Sequence, residues 1–379
     1  MKIVIAPDSF KGSLTAREAA QSIESGILRV LPEAECVSIP MADGGEGTVQ
    51  SLVDATGGRI MRVLVTDPLG HPTNAEYGIL GDGRTAVIEM AAASGIQYID
   101  ETTRNPLIAT TYGTGELIKD ALEQGVSDII VGLGGSATND GGAGMAQALG
   151  VRLLDDNGAP LPFGGAALAE LSEVDVSGLD PRLADVRIRL ASDVTNPLTG
   201  VRGASAVFGP QKGATPDMVE RLDDALAHYA AVIRKQLGRE VEAVPGAGAA
   251  GGLGAGFLAF TEASMRSGVD LVIEATGLAG LAAGADYCFT GEGGIDFQTK
   301  YGKTPMGVAR AVKQASPDCT VVALAGSIGE GIDQLYDLGI DAIFGIMPGV
   351  STMRDAVDHA ADNLARTAEN VARLLARNL

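Results

Sequence analysis

The sequence predicts an α/β protein: a doubly wound domain built from both ends of the chain, with a second, mixed α/β domain inserted between them. Three observations carry this. At 379 residues the chain exceeds what one hydrophobic core usually supports. Both ends show short apolar runs, each followed by a polar loop and a helical pattern, the mark of parallel strand–helix units. Residues 59–90 instead show closely spaced strands with tight turns, which is antiparallel patterning. The expected split domain covers 1–70 and 284–379, the expected insert 71–283, and the substrate site is expected in the cleft between them.

The elements follow in order. Ile3 to Ala6 reads as a buried strand running into Pro7-Asp8-Ser9. Thr15 to Leu31 has helical spacing at Ala16, Ala19, Ala20, Ile23, Ile27 and Val30, and Thr15 with Glu18 gives a capping box. Cys36 to Ile39 is the next strand, leading through Pro40 to Gly47 into a helix containing Val49 and Val53. Val63 to Val65, Ala75 to Leu80 and Ala86 to Glu89 are strands, with Gly81-Asp82-Gly83 as a turn. A helix over Glu116 to Glu123, a strand over Asp128 to Val131 and a hairpin turn at Asp156-Asn157-Gly158 continue the middle. Tyr287 to Thr290, Val321 to Leu324 and Ala342 to Ile346 restore the parallel pattern, and one long helix from Met353 to Arg377 closes the chain.

Composition narrows the function. A net charge of −20 repels nucleic acid and anionic lipid, and the absence of tryptophan with only 4% aromatic residues argues against a base-stacking platform. An acidic enzyme of anionic substrates needs lysines to reverse the potential locally. Cys36, Cys288 and Cys319 form no paired spacing, so buried, inert thiols in a reducing compartment are expected. Only Ile3 to Ala6 separates Met1-Lys2 from Pro7, too short a core for an export signal, and no run is long enough to span a membrane. A cytoplasmic protein is expected.

Six loops hold the candidate chemistry, several of them after strands, where open α/β sheets bind ligands. Asp8, Ser9 and Lys11 sit beside Gly12, in a stretch that also suits a plain turn. Asp43-Gly44-Gly45-Glu46-Gly47 interleaves carboxylates with bare backbone, which suits a magnesium ion and a phosphate together. Gly132 to Gly142 follows a strand and precedes a helix. It loosely matches a dinucleotide fingerprint, but Asp155 belongs to a hairpin turn, so an anion nest at Gly134, Gly135 and Ser136 is the simpler account. In the fourth loop, Asp193 and Asn196 follow the apolar run Ile188 to Ala191, as ligands or as turn formers, and Lys212 comes after them in a glycine-bounded turn. Gly246 to Gly256 contains a G-x-G-x-x-G that reads better as tight backbone packing. Glu292 and Lys303 lie in the last loop. Gly302-Lys303-Thr304 resembles the end of a Walker A motif, but Phe297 stands where its first glycine is required. No H-E-x-x-H or G-x-S-x-G occurs, and His228 and His359 read as structural.

The segments APDSFKGSL (6–14), PMADGGEGT (40–48), IEMAAASG (88–95), LGGSATNDGGAGMAQALG (133–150), SDVTNPL (192–198), AVFGPQKGAT (206–215), GAAGGLG (248–254) and TGEGGIDFQT (290–299) closely resemble the bacterial type-1 glycerate kinases, in the same order over nearly the whole chain. Gly294 departs from the varied, often basic residue expected there. The resemblance implies a Rossmann- or flavodoxin-like domain with an inserted one, and ATP- and Mg2+-dependent phosphorylation of D-glycerate to 2- or 3-phosphoglycerate. Homo-oligomerisation stays open.

Phosphoryl transfer requires charge neutralisation, in-line positioning and a base near the acceptor hydroxyl. On that footing Lys11, Lys212 and Lys303 are expected to neutralise phosphate or carboxylate. Asp43, Glu46 and Glu292 are expected to hold magnesium, and Ser9 and Asn196 to orient substrate. The amides of Gly134, Gly135 and Ser136 would receive phosphate oxygens. Asp193 is the expected base, with Asp8 as competitor. A kinase of another small hydroxy acid, an NAD(P)-linked oxidoreductase and a non-catalytic ligand-binding protein are the rival readings.

Overall fold

The computed structural model describes residues 1–378; Leu379, the last residue of the expected split domain, lies outside them. In chain order the strands are β1 (Lys2–Ile5), β2 (Glu35–Ser38), β3 (Arg59–Thr66), β4 (Pro72–Ile79), β5 (Thr85–Glu89), β6 (Asp128–Gly132) and β7 (Arg152–Leu154). They continue as β8 (Glu173–Asp175), β9 (Arg187–Ala191), β10 (Ser264–Arg266), β11 (Tyr287–Ile295), β12 (Thr320–Ile328) and β13 (Ala342–Gly345). The architecture is mixed α/β, with one fully parallel and one mixed sheet, and the chain divides into two compact units.

The first unit contains Met1–Asp43, Gln50–Gly58 and the chain from Ser267 on. Its sheet runs β13-β12-β11-β1-β2 with every pair parallel. The chain adds β2 on one side of β1 and β11, β12 and β13 on the other, so the strand order reverses between β1 and β11. Ile3 pairs with Tyr287 and Ile5 with Phe289. Ile3, Ile5, Phe289 and Leu324 pack with Ile23 and Ile27 of the helix Ala16–Leu28 and with Leu364 and Ala368 of the helix Ala360–Leu375. Val4, Cys288 and Val321, buried and alternating with these, point to the opposite face. The capping box forms as expected: the Thr15 hydroxyl accepts from the Glu18 amide at 3.2 Å, and the Glu18 carboxylate accepts from the Thr15 amide at 2.9 Å.

The second unit contains Gly44–Val49 and Arg59–Arg266. In its sheet, β10-β9-β6-β5-β4-β3, the strands β3, β4 and β5 are antiparallel, in keeping with the sequence patterning, and the rest are parallel. Asp155 is occupied in the expected hairpin turn, its carboxylate accepting from the Asn157 and Ala159 amides at 2.9 and 2.8 Å. The carboxylate that a dinucleotide reading would direct at a ribose is thus engaged within the turn.

Three sequence expectations need correction. The C-terminal helix is two helices, Met353–Asp358 and Ala360–Leu375, because His359 (φ −111°, ψ 16°) leaves helical geometry; Met353 stands in solvent rather than on the packed stripe. Strand β11 continues through Ile295, so Glu292 lies on a strand and not in a loop. Cys36 is only half-buried, although burial still pushes its thiol up to about 11 and keeps it inert.

The two terminal helices cross closely enough to exclude a side chain at Gly26, where a Cβ would lie 2.1 Å from the Ala365 carbonyl oxygen. Gly26→Ala should therefore destabilise the protein by about 1–3 kcal/mol, despite alanine's better helix propensity, as read by urea unfolding. A gain in stability would show that the helices separate freely.

Candidate functional site

In the first unit the functional groups gather where the strand order reverses. The β1 and β11 backbones stay joined past the sheet, with the Asp8 amide donating to the Gly291 carbonyl at 2.9 Å. This brings Asp8, Ser9 and Lys11 beside Glu292. Asp8 is buried, and its carboxylate accepts from the Ser9 amide at 2.6 Å and from the Thr304 hydroxyl. Burial raises its pKa to about 6; the Thr304 bond opposes this, Asp43 adds to it, and Lys11 opposes it. Glu292 accepts from Thr299 Oγ1 at 3.2 Å and faces Lys303 Nζ at 3.7 Å. Burial raises it to about 7, Lys303 opposes the rise, and Asp8 and Asp43 add to it. Asp8, Asp43 and Glu292 thus form one mutually repelling carboxylate group, with Lys11 and Lys303 at its edge.

In the second unit two glycine loops come together. Loop 44–49 lies against the end of β6, where a Cβ on Gly132 would stand 2.5 Å from the Gly44 carbonyl oxygen. Glu89, at the end of β5, ties the loop by accepting the Val49 amide at 2.9 Å; burial raises its pKa, and nearby Glu46, itself exposed, adds to the rise. Beyond β6, Gly135 adopts φ 72°, and among the described residues the amides of Gly134, Gly135 and Ser136 donate to no protein acceptor. Such a run of open amides is an anion nest.

Behind the nest lies a buried polar support. Asp140 accepts from the Thr111 amide (2.8 Å), the Thr111 hydroxyl (2.9 Å), and the Gly142 (3.1 Å) and Gly144 (3.2 Å) amides, although burial still pushes its pKa upward. Lys212, expected as a substrate ligand, is fully buried, and its ammonium donates to the Thr138 carbonyl at 2.5 Å. Burial lowers its pKa to about 7, against the pull of Asp140. Asn196 is likewise engaged with protein: its side-chain amide donates to the Arg202 carbonyl at 2.7 Å, and its own carbonyl accepts from the Gly246 and Gly248 amides. Asp193, three residues earlier, is exposed. The 246–256 glycines serve packing: Ala250, Gly251 and Gly252 are left-handed in succession, and a Cβ on Gly251 would lie 1.9 Å from the Thr138 carbonyl oxygen.

Sequence reasoning missed Glu89, Asp140 and Thr304. Glu89 and Asp140 lie in the quoted segments IEMAAASG and LGGSATNDGG, and Thr304 directly follows Lys303, so the signal for the first two was membership of a resembling segment and for the third adjacency to a chosen residue. Among the described residues no three His, Cys, Asp or Glu side chains are grouped to hold a metal unaided. The donor set still suits magnesium, which keeps much of its shell as water and phosphate oxygens and needs only one or two carboxylates.

A parallel sheet with carboxylates and lysines converging at its carboxyl edge, accompanied by an anion nest, defines an α/β enzyme for anionic substrates. The chain belongs to the Glycerate kinase family, whose model matches residues 3–376; these are phosphotransferases with an alcohol group as acceptor. It is 55% identical to the glycerate kinase of Bacillus subtilis (strain 168) over 98% of this chain and 97% of that one. It is 51% identical to the glycerate 2-kinase of Escherichia coli (strain K12) over 99% and 98%. A crystal structure assigned as glycerate kinase 2 of Salmonella typhimurium LT2 superposes with a TM-score of 0.92 at 51% identity, covering 100% of this chain and 99% of that one. Among the described residues no helix is long and apolar enough to cross a membrane.

Two predictions follow from the buried charges. Glu292 holds its proton to a higher pH when folded than when unfolded, so its stabilisation is complete below about 4.5 and lost as pH rises through about 7. Without metal, Glu292→Gln should raise stability at pH 7.5 by on the order of 1–3 kcal/mol and not at pH 4.5, in denaturant titrations at both pH values. A gain that is the same at both would remove the carboxylate's burial as the cause. Lys212→Met should cost about 1–3 kcal/mol by leaving the buried Thr138 carbonyl without its donor, and an unfolding midpoint equal to the parent's would refute that role.

Proposed function

We propose that this protein transfers the γ-phosphoryl group of ATP to the 2-hydroxyl of D-glycerate, giving 2-phosphoglycerate and ADP. The observation that carries the reading is the meeting of Asp8, Asp43 and Glu292 with Lys11 and Lys303 at the reversal of a parallel sheet, in a chain 51% identical to a glycerate 2-kinase over nearly its full length. We read the five-stranded unit as a doubly wound domain into which the remaining chain is inserted, and the protein as acting in the cytoplasm.

Asp43, Glu46 and Glu292 would hold magnesium, directly or through water. When bound, the ion neutralises phosphate charge as it develops in the transition state. Lys11 and Lys303 bring positive charge to phosphate or to the glycerate carboxylate, and Ser9 orients the acid. The open amides of Gly134, Gly135 and Ser136 receive anionic oxygens without a side chain in the way. Lys212 acts on the substrate through this loop, by fixing the Thr138 carbonyl from inside, and Asn196 by holding the loop that carries Asp193.

Asp193 takes the proton of the attacking hydroxyl. One observation favours a second reading: the raised pKa of Asp8, about 6, is better matched to proton transfer near neutral pH. Asp193→Asn should fold and lose about 10²–10⁴-fold in kcat; near-native turnover of the folded variant would pass the role to Asp8. Lys11→Ala should raise the KM of one anionic substrate by about tenfold or more, the loss of one charged hydrogen bond, and unchanged KM and kcat for both would remove it from the site. Incubation with MgATP and D-glycerate, followed by phosphorus NMR, tests the activity. A 2-phosphoglycerate doublet is expected; a 3-phosphoglycerate signal would correct the position, and no ADP would refute the kinase reading.

A further inference from the structure

The first unit contains a cavity of about 400 Å³ that, of the residues given a role above, only Lys11 borders. It opens at the carboxyl ends of β11, β12 and β13 and is bounded by Phe10, Lys11, Met347, Val350, Met353 and Val357. Its size falls in the range of small-molecule sites, roughly 300–1,000 Å³. One wall is bare backbone. Gly293 and Gly326 border the cavity, and a Cβ on Gly326 would lie 2.5 Å from the Gly293 carbonyl oxygen, so at these two positions the strands present only backbone. Gly293 also lies against the Lys11 amide, with 3.5 Å from its would-be Cβ to that nitrogen. The cavity therefore adjoins Lys11, whose charge acts on Asp8.

Its chemistry separates the two substrates. Glycerate presents a carboxylate and two hydroxyls on three carbons and has no use for a wall of phenylalanine, methionines and valines. A nucleotide has one broad apolar surface, its base. The rim makes the same point: Val350 and Met353 are left almost wholly in water, 109% and 81% exposed, and a flat ring laid between them would cover both. Hydroxyls of Ser327, Ser351 and Thr352 supply polar contacts at the border.

We propose that this cavity receives the base and ribose of the nucleoside triphosphate, with the phosphate chain leaving past Lys11 and Gly293 toward Asp8 and Glu292. The assignment rests on the reading of this chain as an ATP-using kinase, and it gives the nucleoside a place in the five-stranded unit, distinct from the anion nest of the other.

The absence of native tryptophan supplies a clean probe. Met353→Trp, at an exposed rim position, places a single indole at the mouth of the cavity. ADP or adenosine should quench or shift its emission, whereas inorganic tripolyphosphate should leave it unchanged. Ala356→Trp, which fills the cavity, should raise the KM for ATP by tenfold or more and leave the KM for glycerate within twofold, with calorimetric tripolyphosphate binding retained. Met353→Ala should weaken ATP several-fold in the same direction and carries the test should the larger residue prevent folding. An indole signal indifferent to adenosine and ADP, or ADP affinity equal in wild type and both cavity variants, would overturn the proposal. Wild-type protein that binds ADP in the cavity but phosphorylates no glycerate would overturn the kinase reading alone.

Discussion

The parallel pairing of β1 with β11 is the constraint on which the rest depends. It joins residues near the start of the chain to residues 284 positions later, with Ile3 against Tyr287 and Ile5 against Phe289. Because the strands run the same way, both deliver their following segments to the same edge. Because the strand order reverses between them, neither segment is covered by a crossover connection. Asp8 and Glu292 are the consequence: two carboxylates from opposite ends of the sequence that share one set of neighbours. A register slip of one residue would send Ile3 and Ile5 to the wrong face and separate the carboxylates with them.

That convergence costs stability. Burial and mutual repulsion raise both carboxyls, and the lysines at their edge only partly offset this. An assembly that merely needed to fold would place apolar residues here. One that must accept a cation and a polyphosphate has reason to keep incompletely neutralised carboxylates beside lysines, since binding then supplies the missing charge. The same logic reconciles a net charge of −20 with anionic substrates. Coulomb attraction falls steeply with distance and screening, so two lysines within a few ångströms outweigh a distant acidic surface.

The fold was legible where local chemistry decides structure. The Thr15–Glu18 capping box, the apolar run of β1 and the Asp156-Asn157-Gly158 turn are all short-range signals, and each formed as read. The terminal helix misled because a stripe of Met353, Val357 and Ala360 continues the helical period across His359, while the backbone breaks there. Periodicity reports which faces are apolar and is silent about a single residue leaving helical angles. Glu292 was read as loop because glycines at 291, 293 and 294 look like a turn. In place they let two strands approach, with the Leu324 carbonyl oxygen only 2.1 Å from where a Gly291 Cβ would sit.

The site was less legible than the fold, for a physical reason visible in Lys212. Beside glycine in a proline turn, a lysine looks like a surface cation, and only tertiary packing reveals that its ammonium is spent on the Thr138 carbonyl in the interior. Asp140 gives the complementary case. In sequence it is one polar residue among many, and in the structure it is the acceptor around which Thr111, Gly142 and Gly144 are arranged. Together they fix from behind a loop whose exposed side is nothing but backbone. A nest of glycine amides has few side chains to hold its shape, so its geometry has to be set by what lies beneath it, and the buried hydrogen bonds of Lys212 and Asp140 supply that setting.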